Sequence, residues 1–381
     1  MKIGILTQPL HTNYGGLLQA YALQQILIKE FGANPKTINI QMNVTFKTKL
    51  KGYIKNFAKK YILFQKNVNI FSFRPTENQR KIIAKHSDNF IENNISVTEK
   101  ILRYDIKSLK KYNFDAYIVG SDQVWRPKYS PNIFTYFLEF LKDNNAVKKL
   151  SYAASFGVDR WEYSISQSQK CSELAKKFNA ISVREDAAID LCKRNLGVTA
   201  EKVLDPTLLL DAEAYKEIID ESKTKRDEED FVMFYVLDPN LLKGALVAEI
   251  RKKLNFSFFQ IMPKPFTKEN VRNIDDCVYP PVSSWLEGFY KAKYVVTDSF
   301  HGTAFSILFN KQFIALGNVQ RGMSRFKSIL KMFGLEDRLV TNLKQIENGI
   351  LDKNIDFESV NNILKNERNK SINFLRKNLF K

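Results

Sequence analysis

Residues 2–32, KIGILTQPLHTNYGGLLQAYALQQILIKEFG, decide the fold class. The apolar run KIGILT (2–7) predicts a buried strand, and the polar, glycine-bearing segment QPLHTNYGG (8–16) predicts a turn. Gly32 stands where the C-terminal cap of a following helix would be. That helix has an apolar stripe at helical spacing, made of Leu17, Ala20, Leu23 and Leu27. A strand, a loop and a helix in this order open a βαβ unit.

The same alternation continues along the chain. Helical patterns occur at 76–92, 185–196, 240–254, 283–292 and 303–310. Between them, apolar runs predict strands at FDAYIVGSD (114–122), KLSYAASFG (149–157), AISVRE (180–185), KVLDPTLLL (202–210), FVMFYVLD (231–238), FSFFQIMP (256–263), KYVVTDS (293–299) and FIALG (313–317). Strands that alternate with helices predict an α/β protein with doubly wound parallel sheets.

The length of the chain and one polar segment predict two domains. A chain of 381 residues is longer than one small domain. The segment ESKTKRDEED (221–230) contains no apolar residue and is our predicted linker. We therefore expect an N-terminal domain at 1–220, a C-terminal domain at 231–350 and a basic helix at 351–381, with a crevice between the two domains.

The charge of the chain points to an anionic partner. Lysine and arginine number 59 against 41 acidic residues, a formal net charge of +18. Nucleic acid, an anionic membrane face and a phosphorylated substrate all fit this charge, but no recognised nucleic-acid motif occurs, so we do not expect nucleic acid. No apolar run spans a membrane, and the apolar start is too short for a signal peptide, so we expect a cytoplasmic protein. The three cysteines lie far apart and give no metal spacing.

A basic segment at 42–74 allows two interpretations. Its apolar positions 50, 53/54, 57, 61 and 64 fit one face of a helix, with lysines on the opposite face. An ordinary surface helix with a solvated lysine face explains this pattern. So does an interfacial helix in which 46–66 rests on anionic lipid.

Four polar loops follow predicted strands and would share one edge of the sheets. They are QPLHTNYGG (8–16), GSDQVW (120–125), ISVRE (181–185) and DSFHGTAFS (298–306). Ligands of open α/β sheets bind at the carboxyl ends of strands, and helix N-termini there offer free N–H groups to anions. For each single residue a turn, a cap or a surface ion pair explains the sequence equally well. The grouping of four loops at one edge favours a site.

The motifs together resemble the polysaccharide pyruvyl transferase family. The resemblance rests on ILTQPLHTNYGGLLQAYALQ, YIVGSDQVW, SYAASFG, ISVRED, VLDPTLLL, VVTDSFHGTAFSILF and RGMSRFKSIL, which follow the family order over nearly the whole chain. It implies two Rossmann-like domains in a GT-B-like arrangement with an interdomain cleft. It also implies transfer of a pyruvate ketal from phosphoenolpyruvate to a sugar of a surface polysaccharide or its precursor. The scheme requires neither a cofactor nor a metal. An acceptor carried on a polyprenyl diphosphate would bring the enzyme to the inner membrane face.

The resemblance also implies roles for individual residues. His301 matches the family's cleft histidine, and we hypothesise that it binds the phosphate or acts as the acid. Arg184 matches an arginine expected to hold the donor. Donor-side candidates beside these two are Ser299, Gly302, Thr303, Arg321 and Arg325, although the two arginines also fit surface ion pairs. Acceptor-side candidates are Asn13, Tyr14, Gly15 and Asp122.

Ser299 departs from the family pattern. Characterised members carry an arginine two residues before the cleft histidine, and a neutral hydroxyl does not replace a bidentate cation. Either Arg321 or Arg325 supplies the cation, or the donor differs. The alternative function is a GT-B-like glycosyltransferase with a nucleotide-sugar donor, with room for base stacking near 278–281.

Overall fold

The structure is a computed structural model that describes residues 1–41, 74–102, 106–130, 132–220, 230–254, 256–317 and 322–380. Three sequence predictions lie outside these residues: nearly all of the basic segment 42–74, the predicted linker except Asp230, and Arg321. None of the helices in the described ranges has the length and hydropathy of a membrane span.

The described strands are short, and most match the predicted runs. They are β1 (Lys2–Leu6), β2 (Asn34–Thr37), β3 (Ile40–Gln41), β4 (Ile101–Leu102), β5 (Ala116–Val119), β6 (Lys148–Ala154), β7 (Ala180–Val183), β8 (Glu201–Lys202), β9 (Phe231–Tyr235), β10 (Ser257–Gln260), β11 (Tyr294–Thr297), β12 (Gln312–Leu316) and β13 (Leu339–Val340).

Helices separate the strands as the alternation predicts. They are α1 (Tyr14–Phe31), α2 (Glu77–Asn94), α3 (Ile165–Ala175), α4 (Asp186–Leu191), α5 (Ala212–Asp220), α6 (Leu241–Lys253), α7 (Val282–Lys291), α8 (Phe300–Leu308), α9 (Met323–Met332), α10 (Leu343–Glu347) and α11 (Phe357–Leu379). Gly32 ends α1 with φ of 58°, a left-handed conformation that glycine adopts without a Cβ clash.

Two parallel sheets form the framework, which confirms the predicted α/β class. The larger sheet has the order β2–β1–β5–β6–β7–β8, and the smaller has the order β10–β9–β11–β12–β13. Every paired strand in both sheets is parallel. The strands β5 and β9 are buried along their whole length, because helices cover both faces of a parallel sheet.

The strand predicted at 202–210 is wrong over most of its length. The strand β8 ends at Lys202, and Pro206–Leu208 form a 3₁₀ turn. Asp205 starts this turn, since its carboxylate accepts hydrogen bonds from the backbone N–H and hydroxyl of Thr207. Pro206 has a fixed φ and no N–H to donate to a neighbouring strand. The apolar side chains of this segment are buried without sheet pairing.

The last helix, α11, returns to the six-stranded sheet. The ring of Phe374 packs 6.4 Å from that of Tyr152 on β6. The Ser371 hydroxyl accepts a hydrogen bond from the Leu204 backbone, and Lys148 donates to the Leu379 carbonyl. The C-terminal helix therefore helps to cover the sheet that the first half of the chain builds.

Candidate active site

The start of α8 places His301 at the carboxyl end of β11. Ser299 has extended backbone and caps α8, and its hydroxyl accepts a hydrogen bond from the Gly302 N–H at 3.4 Å. The helix therefore begins at Phe300, three residues before the predicted start, and His301 lies in its first turn. Only 7% of His301 is exposed.

The His301 imidazole lies between elements of both sheets. A Cβ built on Gly15, in the first turn of α1, would lie 2.1 Å from His301 Nδ1, so the ring rests on the bare glycine backbone. On the opposite side, His301 Nε2 lies 3.7 Å from Asp205 Oδ2. This Nε2 is enclosed and makes no hydrogen bond with the described residues. His301 thus connects the second sheet to the helix α1 and to the Asp205 loop of the first.

Arg184, at the carboxyl end of β7, is buried between two carboxylates. Its Nη1 donates to Asp205 Oδ2 at 2.6 Å, and its Nη2 lies 3.4 Å from Asp122 Oδ1. The guanidinium also lies 4.2 Å from the ring centroid of Phe300, next to His301 in the chain. Burial alone would lower the pKa of Arg184, but Asp205 and Asp122 outweigh it and raise the pKa.

Asp205 and Asp122 are the anionic side of the cluster. Asp205 is fully buried, and its Oδ2 also accepts a hydrogen bond from the Ser121 hydroxyl at 3.0 Å. Burial would raise the pKa of Asp205, but His301 and Arg184 hold it well below its usual range. Burial would also raise the pKa of Asp122, but Arg184 and His301 outweigh this effect and lower it. Both groups are therefore carboxylates at neutral pH.

Glu185 and Arg325 are two further ionisable groups near Arg184. Glu185 Oε1 accepts hydrogen bonds from the Ser155 hydroxyl and from two backbone N–H groups of the β6–α3 loop. Burial raises the pKa of Glu185, although Arg184 and Arg325 act against it. Burial, together with the neighbouring Arg184, lowers the pKa of Arg325 to about 10, against the opposing effect of Asp122. Arg325 of α9 therefore lies in the same charged cluster as Arg184.

The predicted acceptor-side residues separate into two groups. Gly15 and Asp122 lie in the cluster, against His301 and Arg184. Tyr14 instead donates its hydroxyl hydrogen bond to the Pro280 carbonyl at 2.9 Å, and its ring stacks on Trp285. Asn13 is exposed, and its side chain forms no capping hydrogen bond to α1.

The predicted donor residues of the 299–303 loop build the start of α8. A Cβ at Gly302 would lie 2.2 Å from the Thr297 hydroxyl oxygen, so only glycine allows this close approach. The Thr303 hydroxyl is buried and donates to the Ser299 carbonyl at 3.2 Å. Their role in donor binding stays a prediction. The structure brings Arg184, Arg325 and His301 together, whereas Arg321 lies outside the described residues.

Sequence reasoning missed Asp205 and Glu185 as members of the cluster. Each is an acid at or beyond the end of a strand, inside a motif that was quoted for other reasons, VLDPTLLL and ISVRE. Asp205 carried a signal, because an acid within an apolar run has to be buried and therefore paired with a cation. Glu185 carried none, because a glutamate at a helix start is usually exposed.

The cluster has the groups that an anionic substrate and a proton transfer require. Two buried guanidinium groups suit carboxylate and phosphate oxygens, and an imidazole suits proton transfer near neutral pH. The ionised carboxylates of Asp205 and Asp122 hold Arg184 in place. Arg184 and His301 follow the carboxyl ends of the parallel strands β7 and β11, where open α/β sheets bind ligands.

Solved structures share the fold at low sequence identity. A putative UDP-N-acetylglucosamine 2-epimerase from Listeria monocytogenes is 10% identical with a TM-score of 0.54, and the match covers 99% of this chain and 96% of that one. The MnaA–UDP structure from S. aureus is 12% identical with a TM-score of 0.51 and the same coverage. The two parallel sheets therefore have the GT-B fold. No curated protein sequence matches the chain.

The sequence profile described as polysaccharide pyruvyl transferase matches residues 13–320. The matched part includes both parallel sheets except β1, which precedes residue 13, and β13, which follows residue 320. It also includes Asp122, Arg184, Asp205 and His301. The chain therefore belongs to the polysaccharide pyruvyl transferase family.

Proposed function

We propose that this transferase takes its pyruvyl group from phosphoenolpyruvate and forms a ketal on a sugar of a surface polysaccharide or its precursor. The observation that carries the proposal is the burial of Arg184 and Arg325 in one cluster with His301. The donor has a carboxylate and a phosphate, so two cations beside a proton donor match its chemistry.

The reaction balances with the groups of this cluster. The enol methylene of the donor takes one proton and becomes a methyl group. A sugar hydroxyl attacks the resulting electrophilic carbon, inorganic phosphate leaves, and a second hydroxyl of the same sugar closes the ketal. The two hydroxyls release two protons. One replaces the proton that the methylene consumed, and the other goes to the phosphate or to solvent. His301 is the proposed acid, and Arg184 and Arg325 hold the donor's anionic groups.

The proposed acceptor side includes Asp122. Its carboxylate is ionised because Arg184 and His301 lower its pKa against the effect of burial. An ionised carboxylate accepts the hydrogen bond of a sugar hydroxyl. We assign the acceptor to the 1–220 side and the donor mainly to the 231–350 side, with Arg184 reaching the donor from the first sheet.

The test is phosphate release from phosphoenolpyruvate with a panel of glycan acceptors. The product should gain the mass of one pyruvate less one water. Arg184→Lys should lower kcat/KM by about a hundredfold, because lysine cannot bridge two carboxylates and a substrate anion at once. Arg194→Lys, on an exposed helix-end residue, is the matched control and should leave kcat/KM unchanged. The proposal fails if no acceptor gives the product and phosphoenolpyruvate causes no thermal shift.

A second candidate function is transfer from a nucleotide sugar. The observation in its favour is that the S. aureus structure of this fold is a complex with UDP. A thermal-shift screen of nucleotides and nucleotide sugars against phosphoenolpyruvate separates the two donors. Stabilisation by UDP and not by phosphoenolpyruvate would favour the second candidate.

We further propose that the protein acts in the cytoplasm and touches the inner membrane face through 46–66 when its acceptor is polyprenyl-linked. The net charge of +18 supports attraction to anionic lipid. Deletion of 46–66 should abolish sedimentation with anionic liposomes. If the deletion variant sediments as the full chain does, this segment is not the membrane contact.

A further inference from the structure

We propose that Asp205 is a positioning residue for His301. It fixes the imidazole with Nε2 towards its own carboxylate and leaves Nδ1, which lies beside the first turn of α1, as the nitrogen that transfers the proton. The role of His301 as the acid rests on the proposed function. The orientation and tautomer of the ring do not, because they follow from contacts within the protein.

The Asp205 carboxylate is held in one orientation by contacts on both oxygens. Oδ1 accepts from the backbone N–H and the hydroxyl of Thr207, at 3.0 and 2.8 Å. Oδ2 accepts from Ser121 at 3.0 Å and from Arg184 at 2.6 Å. The side chain has no exposed surface. A carboxylate with four donors cannot turn to follow its neighbours, so His301 has to align with it.

His301 faces this fixed carboxylate with Nε2. The distance from Nε2 to Asp205 Oδ2 is 3.7 Å, and Nε2 is enclosed by protein. An ionised carboxylate only accepts hydrogen bonds, so it favours the neutral tautomer in which Nε2 carries the proton. The lone pair of that tautomer is on Nδ1. Catalytic hydrogen bonds are often long before substrate binds, and closure of this contact would strengthen the preference.

The opposite edge of the ring points to the first turn of α1. Nδ1 is the ring atom nearest to a Cβ built on Gly15. The side chain of Asn13 makes no capping hydrogen bond to α1, whereas Ser299 already caps α8. The uncapped N-terminus of α1 therefore lies beside Nδ1, and its N–H groups suit an anionic group of the substrate.

This geometry defines the proton transfer. In the imidazolium form, Nδ1–H gives its proton to the donor methylene, whose π electrons form the new C–H bond. The ring keeps the lone pair on Nδ1 and remains as the Nε2–H tautomer that Asp205 favours. Ser121 and Thr207 act through Asp205, which is enclosed by protein, whereas Arg184 both donates to Asp205 and holds the donor.

Nitrogen-15 spectra of histidine-labelled protein test the inference directly. The chain has three histidines, so the loss of one set of signals in His301→Gln assigns His301, and His11 and His86 are internal controls. In the neutral ring we expect the Nε2–H tautomer of His301 to predominate. Asp205→Asn should remove this preference, because an amide donates as well as accepts. Predominance of the Nδ1–H tautomer in the wild-type protein, or an unchanged ratio in Asp205→Asn, would overturn the inference.

A second variant and a kinetic measurement guard against a folding defect. Thr207→Val keeps the shape of the side chain and removes one donor to Asp205, so it should shift the tautomer ratio in the same direction by a smaller amount. In Asp205→Asn we expect kcat to fall by at least about tenfold while KM for phosphoenolpyruvate changes less than about twofold. A loss of kcat/KM that comes from KM alone, with kcat unchanged, would contradict a positioning role. The tautomer is measured without substrate. The result therefore stays valid even if phosphoenolpyruvate is not the donor.

Discussion

Gly15 has no side chain, and the His301 imidazole occupies the space where one would be. A Cβ at this position would lie 2.1 Å from Nδ1 and 2.3 Å from Cγ of the ring. Both distances are far below van der Waals contact, so the ring has to move. The position of the catalytic candidate on α8 therefore depends on a glycine near the start of the chain.

We predict that Gly15→Ala lowers kcat/KM by at least about tenfold, since displacement of a catalytic group by about 1 Å is costly. The fold should persist, because alanine is the better helix former in α1. Gly244→Ala, in α6, is the matched control, because its Cβ would meet no atom within 4 Å. Circular dichroism and steady-state kinetics measure both variants. Wild-type kinetics in Gly15→Ala would show that the ring does not need this space.

Glu185 gives a prediction about pH and stability. Burial raises its pKa, so the folded protein binds a proton more tightly than the unfolded chain does. Glu185 is therefore least destabilising below the unfolded pKa of about 4.3, and stability falls as the pH rises from there through the raised folded pKa. Glu185→Gln keeps an oxygen for the bonds that Oε1 accepts and cannot ionise. Its free energy of unfolding relative to wild type should increase with pH across this window.

Urea denaturation of both proteins at a series of pH values measures this difference. Glu173→Gln, on the exposed side of α3, is the matched control and should give a constant difference. A constant difference for Glu185→Gln as well would mean that the pKa of Glu185 is the same in the folded and the unfolded protein.

The sequence could predict some members of the site and not others. His301, Arg184 and Asp122 follow strands in polar motifs, and the rule that ligands bind at strand ends is enough to select them. Asp205 and Glu185 owe their importance to burial and to partners that come from elsewhere in the chain. The apolar run around Asp205 indicates a buried, paired carboxylate but does not identify its partners, and nothing local marks Glu185, because such pairing is a tertiary contact.

At the scale of elements, the sequence predicted most strands but not the short strands β2, β3, β4 and β13. It was wrong at 202–210, where turn chemistry prevailed over hydrophobicity. The run 202–210 is apolar enough for a strand, but Asp205 and Pro206 start a 3₁₀ turn. The helix predicted from Thr303 begins at Phe300, because Ser299 caps it. Both differences matter for the site, because they place Asp205 and His301 next to each other.

The helix α11 gives a prediction about packing. Phe374 is 3% exposed and packs against Tyr152 of the six-stranded sheet. Phe374→Ala should lower the free energy of unfolding by about 3–5 kcal/mol, through lost burial and the cavity that remains. Ile165→Ala, at a side chain that is 81% exposed, should change it by less than about 0.5 kcal/mol. Equal midpoints in urea for the two variants would show that α11 contributes little to the core.

At the scale of the whole molecule, the candidate site belongs to both sheets. His301 follows a strand of the five-stranded sheet, whereas Asp205 and Arg184 come from loops of the six-stranded one and Gly15 comes from its helix α1. Tyr14 of α1 makes a further contact with Pro280, and α11 returns across the first sheet. The alternation of strands and helices predicts the two sheets. It does not predict these contacts, because periodicity describes neighbours in sequence and not residues that are hundreds of positions apart.

The net charge of +18 leads to a prediction about ionic strength. A positive field steers an anionic donor to the site. At 0.1 M salt this field is largely screened beyond about 10 Å. We expect kcat/KM for phosphoenolpyruvate to fall several-fold between about 0.02 and 0.3 M sodium chloride, while kcat at saturating donor stays within about twofold. Steady-state kinetics in phosphate-free buffer measure both, and kcat/KM for an uncharged acceptor under saturating donor is the control. If kcat/KM for the donor is independent of salt, the charge of the whole molecule does not assist capture, and the local cluster of Arg184 and Arg325 must account for donor binding alone.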